Sequence, residues 1–263
     1  MTPQADAFRA LHVRGMPLLI PNPWDLGSAK LLAWLGFKAL ATTSSGFAMT
    51  LGRLDGQVSR DEAVEHARAV VSAVDIPVSA DLENCFADDP AGVAHTVGRA
   101  RGAGLAGCSI EDWSGSRLYS LEEAADRVRA AVEAADGELV LTARAENHLH
   151  GRDDLADTIA RLQAYQEAGA DVLYAPGPTD IGQIRALVAA VDRPVNVLAR
   201  AGGPAVAELA AAGVARISVG GSFAFAAMGA LVEAARELKQ QGSYGYAARA
   251  QEGVAAIRAA FGA

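Results

Sequence analysis

The sequence has little cysteine: only Cys85 and Cys108 occur among 263 residues. They are expected at opposite ends of a sheet, Cys108 opening one strand and Cys85 just past its neighbour, so no bridge is expected. A chain this long buries roughly three-quarters of its unfolded surface, so the core needs neither a disulfide nor a structural metal. Aromatic residues are also sparse, at 6%, and the 51% apolar content comes largely from Ala, Val and Leu. Such small residues suit packing between helices and a sheet. No segment concentrates Lys and Arg and the net charge is −8, which excludes nucleic acid and anionic membrane as partners. Long apolar runs are missing as well. The longest, Phe223 to Val232, ends at Glu233, is too short to span a bilayer, and is expected to be a buried helix. Met1 to Met16 contains no continuous apolar stretch of the kind a signal peptide needs, and a cytoplasmic protein is expected.

What is present is a repeated unit. Short apolar strands are expected at Leu18–Ile20, Ala39–Thr43, Val78–Asp81, Gly107–Glu111, Leu139–Arg144, Val172–Ala175, Val195–Ala199 and Ile217–Gly220, with helices between them. Ser59 with Glu62 and Ser120 with Glu123 form capping boxes, and Asp89-Pro90 pairs an N-cap with proline at the first helical position. Gly36, Gly104, Gly169 and Gly213 precede strands as left-handed helix ends. Eight strand–helix units in about 250 residues predict a (β/α)8 barrel. A doubly wound sheet fits less well, because the first βα turn lacks a Gly-x-Gly-x-x-Gly fingerprint. With no linker, residues 1–263 are expected to form one domain, and Tyr244 to Phe261 an extra C-terminal helix with Val254, Ile257 and Phe261 on its apolar face.

Three successive strands finish in charge: Asp81 and Glu83, then Glu111 and Asp112, then Arg144 and Glu146. Desolvating unpaired charges costs several kcal/mol, so buried strands avoid them without reason. In a barrel these ends share one mouth, where active sites form. Acids gathered around an arginine describe a hard divalent cation with an anionic ligand beside it; the alternative is a solvated ion-pair network at the rim. Thr42-Thr43-Ser44-Ser45-Gly46 offers hydroxyl and amide donors to an anion. Trp24 is placed to wall the pocket, Asp25 to cap the following helix, and Asn196 joins the candidate substrate-binding residues.

The ordered fragments Asn22-Pro-Trp-Asp25, Thr42-Thr-Ser-Ser-Gly46, Leu54-Asp55-Gly56, Ala80-Asp-Leu-Glu83, Ser109-Ile-Glu-Asp112 and Ala143-Arg-Ala-Glu146 resemble the isocitrate lyase/phosphoenolpyruvate mutase superfamily over nearly the whole chain. The resemblance implies an enzyme dependent on Mg²⁺, with Mn²⁺ as substitute, that makes or breaks a bond beside a 2-oxo acid through an enolate-like intermediate. It implies Asp81 as direct metal ligand, Glu83 and Glu111 as water-mediated ligands, and Asp55 assisting from a mobile loop. It further implies Ser45 and the Gly46 amide as the substrate carboxylate cradle, with Arg144 facing the 2-oxo oxygen. Glu111, Asp55 and Arg144 are thus the catalytic candidates.

The departures bear on the reaction. Lyases of this family carry a Lys-Lys/Arg-Cys-Gly-His loop after the strand-four acids, and the mutases an Asn-bearing loop with lysines. Here Trp113-Ser-Gly-Ser-Arg-Leu-Tyr119 replaces both and contains no Cys or His, leaving Arg117 and Tyr119 as the nameable replacements. Cys85 reads as a small buried thiol, and His148 and His150 lie where proton carriers could reach the mouth. The sequence therefore points to a lyase or decarboxylase acting on a small 2-oxo acid. A phosphonomutase-type reaction and a 2-oxo-acid-binding protein without turnover are the alternatives. A homo-oligomer, dimer or tetramer, is expected: the resemblance implies tetramers in which a late helix crosses to the neighbouring barrel, and the alternative is a helix that folds back on its own barrel.

Overall fold

The computed structural model describes residues 3–262. Its eight parallel strands are β1 (Leu18–Ile20), β2 (Leu40–Ala41), β3 (Val78–Asp81), β4 (Gly107–Glu111), β5 (Val140–Arg144), β6 (Val172–Tyr174), β7 (Val195–Leu198) and β8 (Arg216–Ser218). The order β1-β8-β7-β6-β5-β4-β3-β2 runs around the molecule. The Ala41 N–H donates to Pro21 O at 3.1 Å and draws β2 towards the end of β1. The result is the predicted (β/α)8 barrel, nearly closed.

The helix signals act where they stand. Asp25 caps α2 (Leu26–Trp34), and capping boxes open α4 (Arg60–Ala73) at Ser59 and α6 (Leu121–Ala135) at Ser120. Asp89 with Pro90 opens α5 (Pro90–Gly102). Helix α7 (Leu155–Glu167) ends before Gly169, whose φ of 104° only glycine adopts easily. One helix was not legible. α1 (Pro3–Ala10) plugs the bottom of the barrel with Phe8, which packs with Leu18, Ile20, Ala106, Val140 and Val172. A Cβ at Gly107 would sit 2.9 Å from the Phe8 ring, so the plug requires glycine there.

Strand two is shorter than expected because the Thr-Ser-Ser-Gly segment leaves the sheet as α3 (Ser44–Thr50), capped by Thr43. The remaining helices are α8 (Ile181–Ala189), α9 (Val206–Ala211), α10 (Ser222–Gln241) and α11 (Ala247–Phe261). α10 is not the buried helix expected from its apolar run: Ala224 is its sole buried residue. α11 packs on α2, with the Phe261 ring beneath the Lys30 ammonium at 5.8 Å. Among the described residues no helix is long and apolar enough to cross a membrane. Cys85 and Cys108 are free and buried. Cys108 stands near the start of β4 and Cys85 past the end of β3, yet they share one core cluster, and a charge on Cys108 would raise the Cys85 thiol.

Candidate active site

Strand register lines up the interior. Glu111 lies opposite Arg144, Arg144 opposite Tyr174, Tyr174 opposite Asn196, and Asn196 opposite Arg216. Arg144 is the hub. Its Nη1 donates to Asp81 Oδ1 at 3.0 Å and its Nε to Glu146 Oε1 at 2.7 Å, while Nη2 lies 3.3 Å from Glu111 Oε2. Its guanidinium also sits 5.2 Å from the Tyr174 ring centre. Asp81 is held from the other side by the Ser44 N–H at 3.2 Å.

The acids outnumber their counter-charge. Asp55, Asp81, Glu83, Glu111 and Glu146 line two adjoining cavities that share Arg144, and Arg216 is the one further cation among their lining residues, in the inner cavity. Burial, then repulsion from Asp81 and Asp55, pushes Glu83 up to about 7. Burial likewise raises Asp55, with Asp81 adding to the effect, and lifts Glu111 well above the carboxylate range against the pull of Arg144. For Arg144, burial opposes the charge but is outweighed by Glu146, Glu111 and Asp81, so it remains a guanidinium.

Glu83 is presented by strained backbone. Glu83, Cys85 and Phe86 have φ of 49°, 59° and 53°, each costing about 1–3 kcal/mol for a residue with a side chain. Buried Arg127 clamps this loop by donating to the carbonyls of Asn84, Ala87 and Asp88.

The next acid along β4 has a different task. Side chains alternate along a strand, so Glu111 faces the barrel and Asp112 the helices. Asp112 accepts from the Glu146 N–H at 2.8 Å, Arg161 Nη1 at 2.9 Å and the Tyr165 hydroxyl at 2.5 Å. The short loop after it closes as a hairpin, with Trp113 bridged to Leu118 and Ser114 N–H on Arg117 O. Arg117 pairs with Glu123 at 2.9 Å, and the Tyr119 hydroxyl donates to Asp88 beneath Arg127. Neither nameable replacement faces the site.

The inner cavity, of about 140 Å³, is lined by Ser44, Ser45, Asp55, Asp81, Arg144, Tyr174, Asn196 and Arg216 among others. The outer one, of about 460 Å³, is lined by Glu83, Glu111, Glu146, Trp113 and His150. Two expectations need correction. Trp24 lines neither cavity; it packs against Gly46, where an added Cβ would lie 3.0 Å from Trp24 Cβ. The Gly46 amide is not free to cradle a carboxylate, because it donates to Thr43 Oγ1 at 3.3 Å in capping α3. Among the described residues no three Asp, Glu, His or Cys side chains form a ready ligand cage. Asp81 and Glu111 turn towards Arg144, the nearest positive charge, rather than converging with Glu83. The donor chemistry still fits a hard cation held by one or two carboxylates with water completing the shell.

The two loop histidines separate. His148 is buried against Asp153, with Nδ1 at 2.8 Å, and lies outside both cavities. His150 lines the outer cavity, stacked on Trp113 with ring centres 3.6 Å apart, and burial lowers its pKa. The sequence reading also missed Tyr174 and Arg216 as cavity residues. Arg216 carried a signal, a lone charge in the apolar run Val214-Ala-Arg-Ile-Ser218.

Comparison with known proteins identifies the family and matches the fold. The phosphoenolpyruvate phosphomutase family model matches residues 8–239. A crystal structure from Burkholderia cenocepacia, described as a lyase/mutase, superposes with a TM-score of 0.88 at 51% identity, covering 92% of this chain and 89% of that one. The 2-methylisocitrate lyase of Escherichia coli is 32% identical over 72% of this chain and 67% of its own length. Oxaloacetate acetylhydrolase in complex with oxalate superposes with a TM-score of 0.83 at 27% identity, covering 92% of this chain and 89% of that one. The chain belongs to the phosphoenolpyruvate phosphomutase family, within the isocitrate lyase/phosphoenolpyruvate mutase superfamily of lyases and mutases.

Proposed function

We propose that this protein is a divalent-cation-dependent carbon–carbon lyase, of the decarboxylating kind, acting on a small 2-oxo acid. The observation that carries the reading is the surplus of carboxylates around a single guanidinium where two cavities meet. Buried like charges without compensation are costly, and their elevated pKa values mark them as groups awaiting a positive partner. Two relatives are named for reactions on 2-methylisocitrate and oxaloacetate.

In this reading Asp81 holds Mg²⁺ or Mn²⁺ directly and Glu83 and Glu111 hold it through water, with Asp55 assisting. The bound cation would supply electron withdrawal at the carboxylate and 2-oxo oxygens. Arg144, fixed in orientation by Asp81, Glu111 and Glu146, stabilises negative charge as it develops on the 2-oxo oxygen. Ser45 and Asn196 bind and orient the substrate. His150 delivers the proton from the outer cavity, a task for which the hairpin 113–119 offers no side chain. Decarboxylation suits this site better than aldol cleavage, since release of CO₂ leaves an enolate that needs only later protonation. The closed hairpin favours one rival, a 2-oxo-acid-binding protein without turnover.

We further infer a cytoplasmic homo-oligomer, dimeric or tetrameric. Phe223, Phe225, Met228, Leu231, Val232 and Leu238 on α10 and Val254, Ile257 and Phe261 on α11 are exposed. A run of this size is apolar surface that monomers rarely leave in water.

The experiment is a thermal-shift panel of pyruvate, oxaloacetate, 2-oxoglutarate and phosphonopyruvate with Mg²⁺ or with EDTA, followed by turnover assays. Stabilisation by a 2-oxo acid only with Mg²⁺, with CO₂ release, is expected. Equal shifts in EDTA remove the cation. Binding without turnover selects the rival, and C–P bond chemistry on phosphonopyruvate selects a mutase.

A further inference from the structure

Three arginines are almost wholly buried, and two are each held by several protein acceptors. Arg127 donates to three backbone carbonyls, and Arg161 pairs with Asp112 and Asp157, each at 2.9 Å. Arg216, 6% exposed on β8, is different. Its Nε donates to Asn196 Oδ1 at 3.0 Å, and its Nη1 lies 3.4 Å from His12 Nε2. His12 is neutral, since burial and the Arg216 charge bring its pKa down to about 3. With His12 Nδ1 2.8 Å from Phe8 O, the ring proton lies there and Nε2 faces Arg216 as an acceptor. The other titratable groups acting on Arg216 are the Tyr174 phenol and Arg144, which repels it. Among the described residues no carboxylate pairs with it.

A buried cation without a counter-ion is costly, and proteins retain one where a ligand brings the opposite charge. Burial lowers Arg216 to about 10, still far enough above neutrality to leave it charged. It also lines the inner cavity, beside Asn196, Ser218 and Tyr174, and that cavity is continuous with Arg144 and Ser45. Asn196 is held in place by donating to Ser218 Oγ at 3.0 Å, so the polar groups around the guanidinium are already ordered. The cavity thus has two cationic ends, and the proposed role of Arg144 uses only one.

We propose that Arg216, with Asn196 and Ser218, forms a subsite for a second carboxylate, so that the protein takes short dicarboxylic 2-oxo acids in preference to pyruvate. This rests on the 2-oxo-acid reading for the near end of the ligand only; the Arg216 end stands on its own geometry. The near carboxylate and 2-oxo group lie towards Arg144 and Asp81, and the far carboxylate answers Arg216.

The test measures calorimetric affinities, with Mg²⁺ present, for oxaloacetate against 2-oxobutyrate and 2-oxoglutarate against 2-oxopentanoate. Each pair differs by the far carboxylate. A hydrogen-bonded charge pair is worth roughly 10- to 100-fold in affinity, and the wild type is expected to prefer at least one dianion by that factor. In Arg216→Met the preference should fall to within about threefold. Monoanion affinity should hold, and the melting temperature of the ligand-free protein should hold or rise, since an unpaired buried charge has gone. Asn196→Asp covers the case in which the methionine variant does not fold: it retains Arg216, supplies the counter-charge internally, and should raise the melting temperature while abolishing the preference. A dianion preference that survives in either folded variant, or its absence from the wild type, overturns the subsite. If the wild type binds no 2-oxo acid at all, malonate decides. Arg216-dependent stabilisation by malonate retires the 2-oxo-acid reading and keeps the anion site, and its absence rejects both.

Discussion

Arg144 on β5 reaches past β4 to Asp81 on β3, Nη1 to Oδ1 at 3.0 Å, while its Nη2 and Nε engage Glu111 and Glu146. A planar fork with donors on three sides is needed for such a hub, and a lysine ammonium cannot reproduce it. Arg144→Lys is therefore expected to lose turnover of whichever 2-oxo acid the panel identifies, by at least about 100-fold. A kcat/KM within tenfold of wild type would remove Arg144 from the proposed oxyanion role.

Asp81→Ala is expected to abolish the Mg²⁺ dependence of ligand binding while leaving the fold intact. Arg144 keeps Glu111 and Glu146 as partners, and Glu83 and Asp55 lose a repelling neighbour. The melting temperature in EDTA should hold or rise slightly. Calorimetric titration that still shows cation-dependent binding in this variant would place the cation elsewhere.

Asp112→Asn should behave in the opposite way. Asp112 is 3% exposed and accepts from Glu146 N–H, Arg161 and Tyr165, away from the cavities. Breaking a buried pair costs about 3–5 kcal/mol, and the second pairing of Arg161 with Asp157 brings the expectation to about 3 kcal/mol. Urea unfolding measures it. A loss under about 1 kcal/mol would contradict the scaffold role.

His12 sets an acid limit on the fold. Folded His12 has its pKa held to about 3, chiefly by burial, whereas the unfolded chain takes up its proton near 6.5. Between those values the unfolded state binds more protons, so stability falls as the pH is lowered. From pH 7.5 to pH 5.5 this residue should account for about 1.4 kcal/mol of lost stability. Urea melts of the wild type and His12→Gln at the two pH values test this. Identical acid sensitivity would show that His12 is protonated in the fold.

Removing the chain beyond Gln241 takes away α11, and light scattering on the intact and shortened proteins reports its role. The intact chain is expected to be a dimer or tetramer, and the shortened chain a smaller species. A full-length monomer, or an unchanged oligomer after shortening, rejects the assembly proposed from α10 and α11.

Much of this molecule is written locally. Capping boxes at Ser59 and Ser120, the Asp89-Pro90 start and the glycine helix ends are interactions within a few residues, so the strand–helix alternation and barrel class follow from sequence alone. The charged strand ends at Asp81, Glu111 and Arg144 were legible for the same reason, since any parallel barrel brings consecutive strand ends to one mouth. Other features depend on packing between distant segments. Whether Trp24 walls the cavity or packs against Gly46 is decided by how α3 leaves β2, and whether the Gly46 amide is free is decided by Thr43 in that turn. Nothing local separates Glu111, turned to Arg144, from Asp112, turned to Arg161 and Tyr165, until β4 has helices on its outer face. Arg216 is the clearest case. Its charge stands in the sequence, but its lack of a carboxylate partner exists only once β7, β8 and the turn bearing His12 have closed around it, because burial and pairing are properties of the assembled barrel.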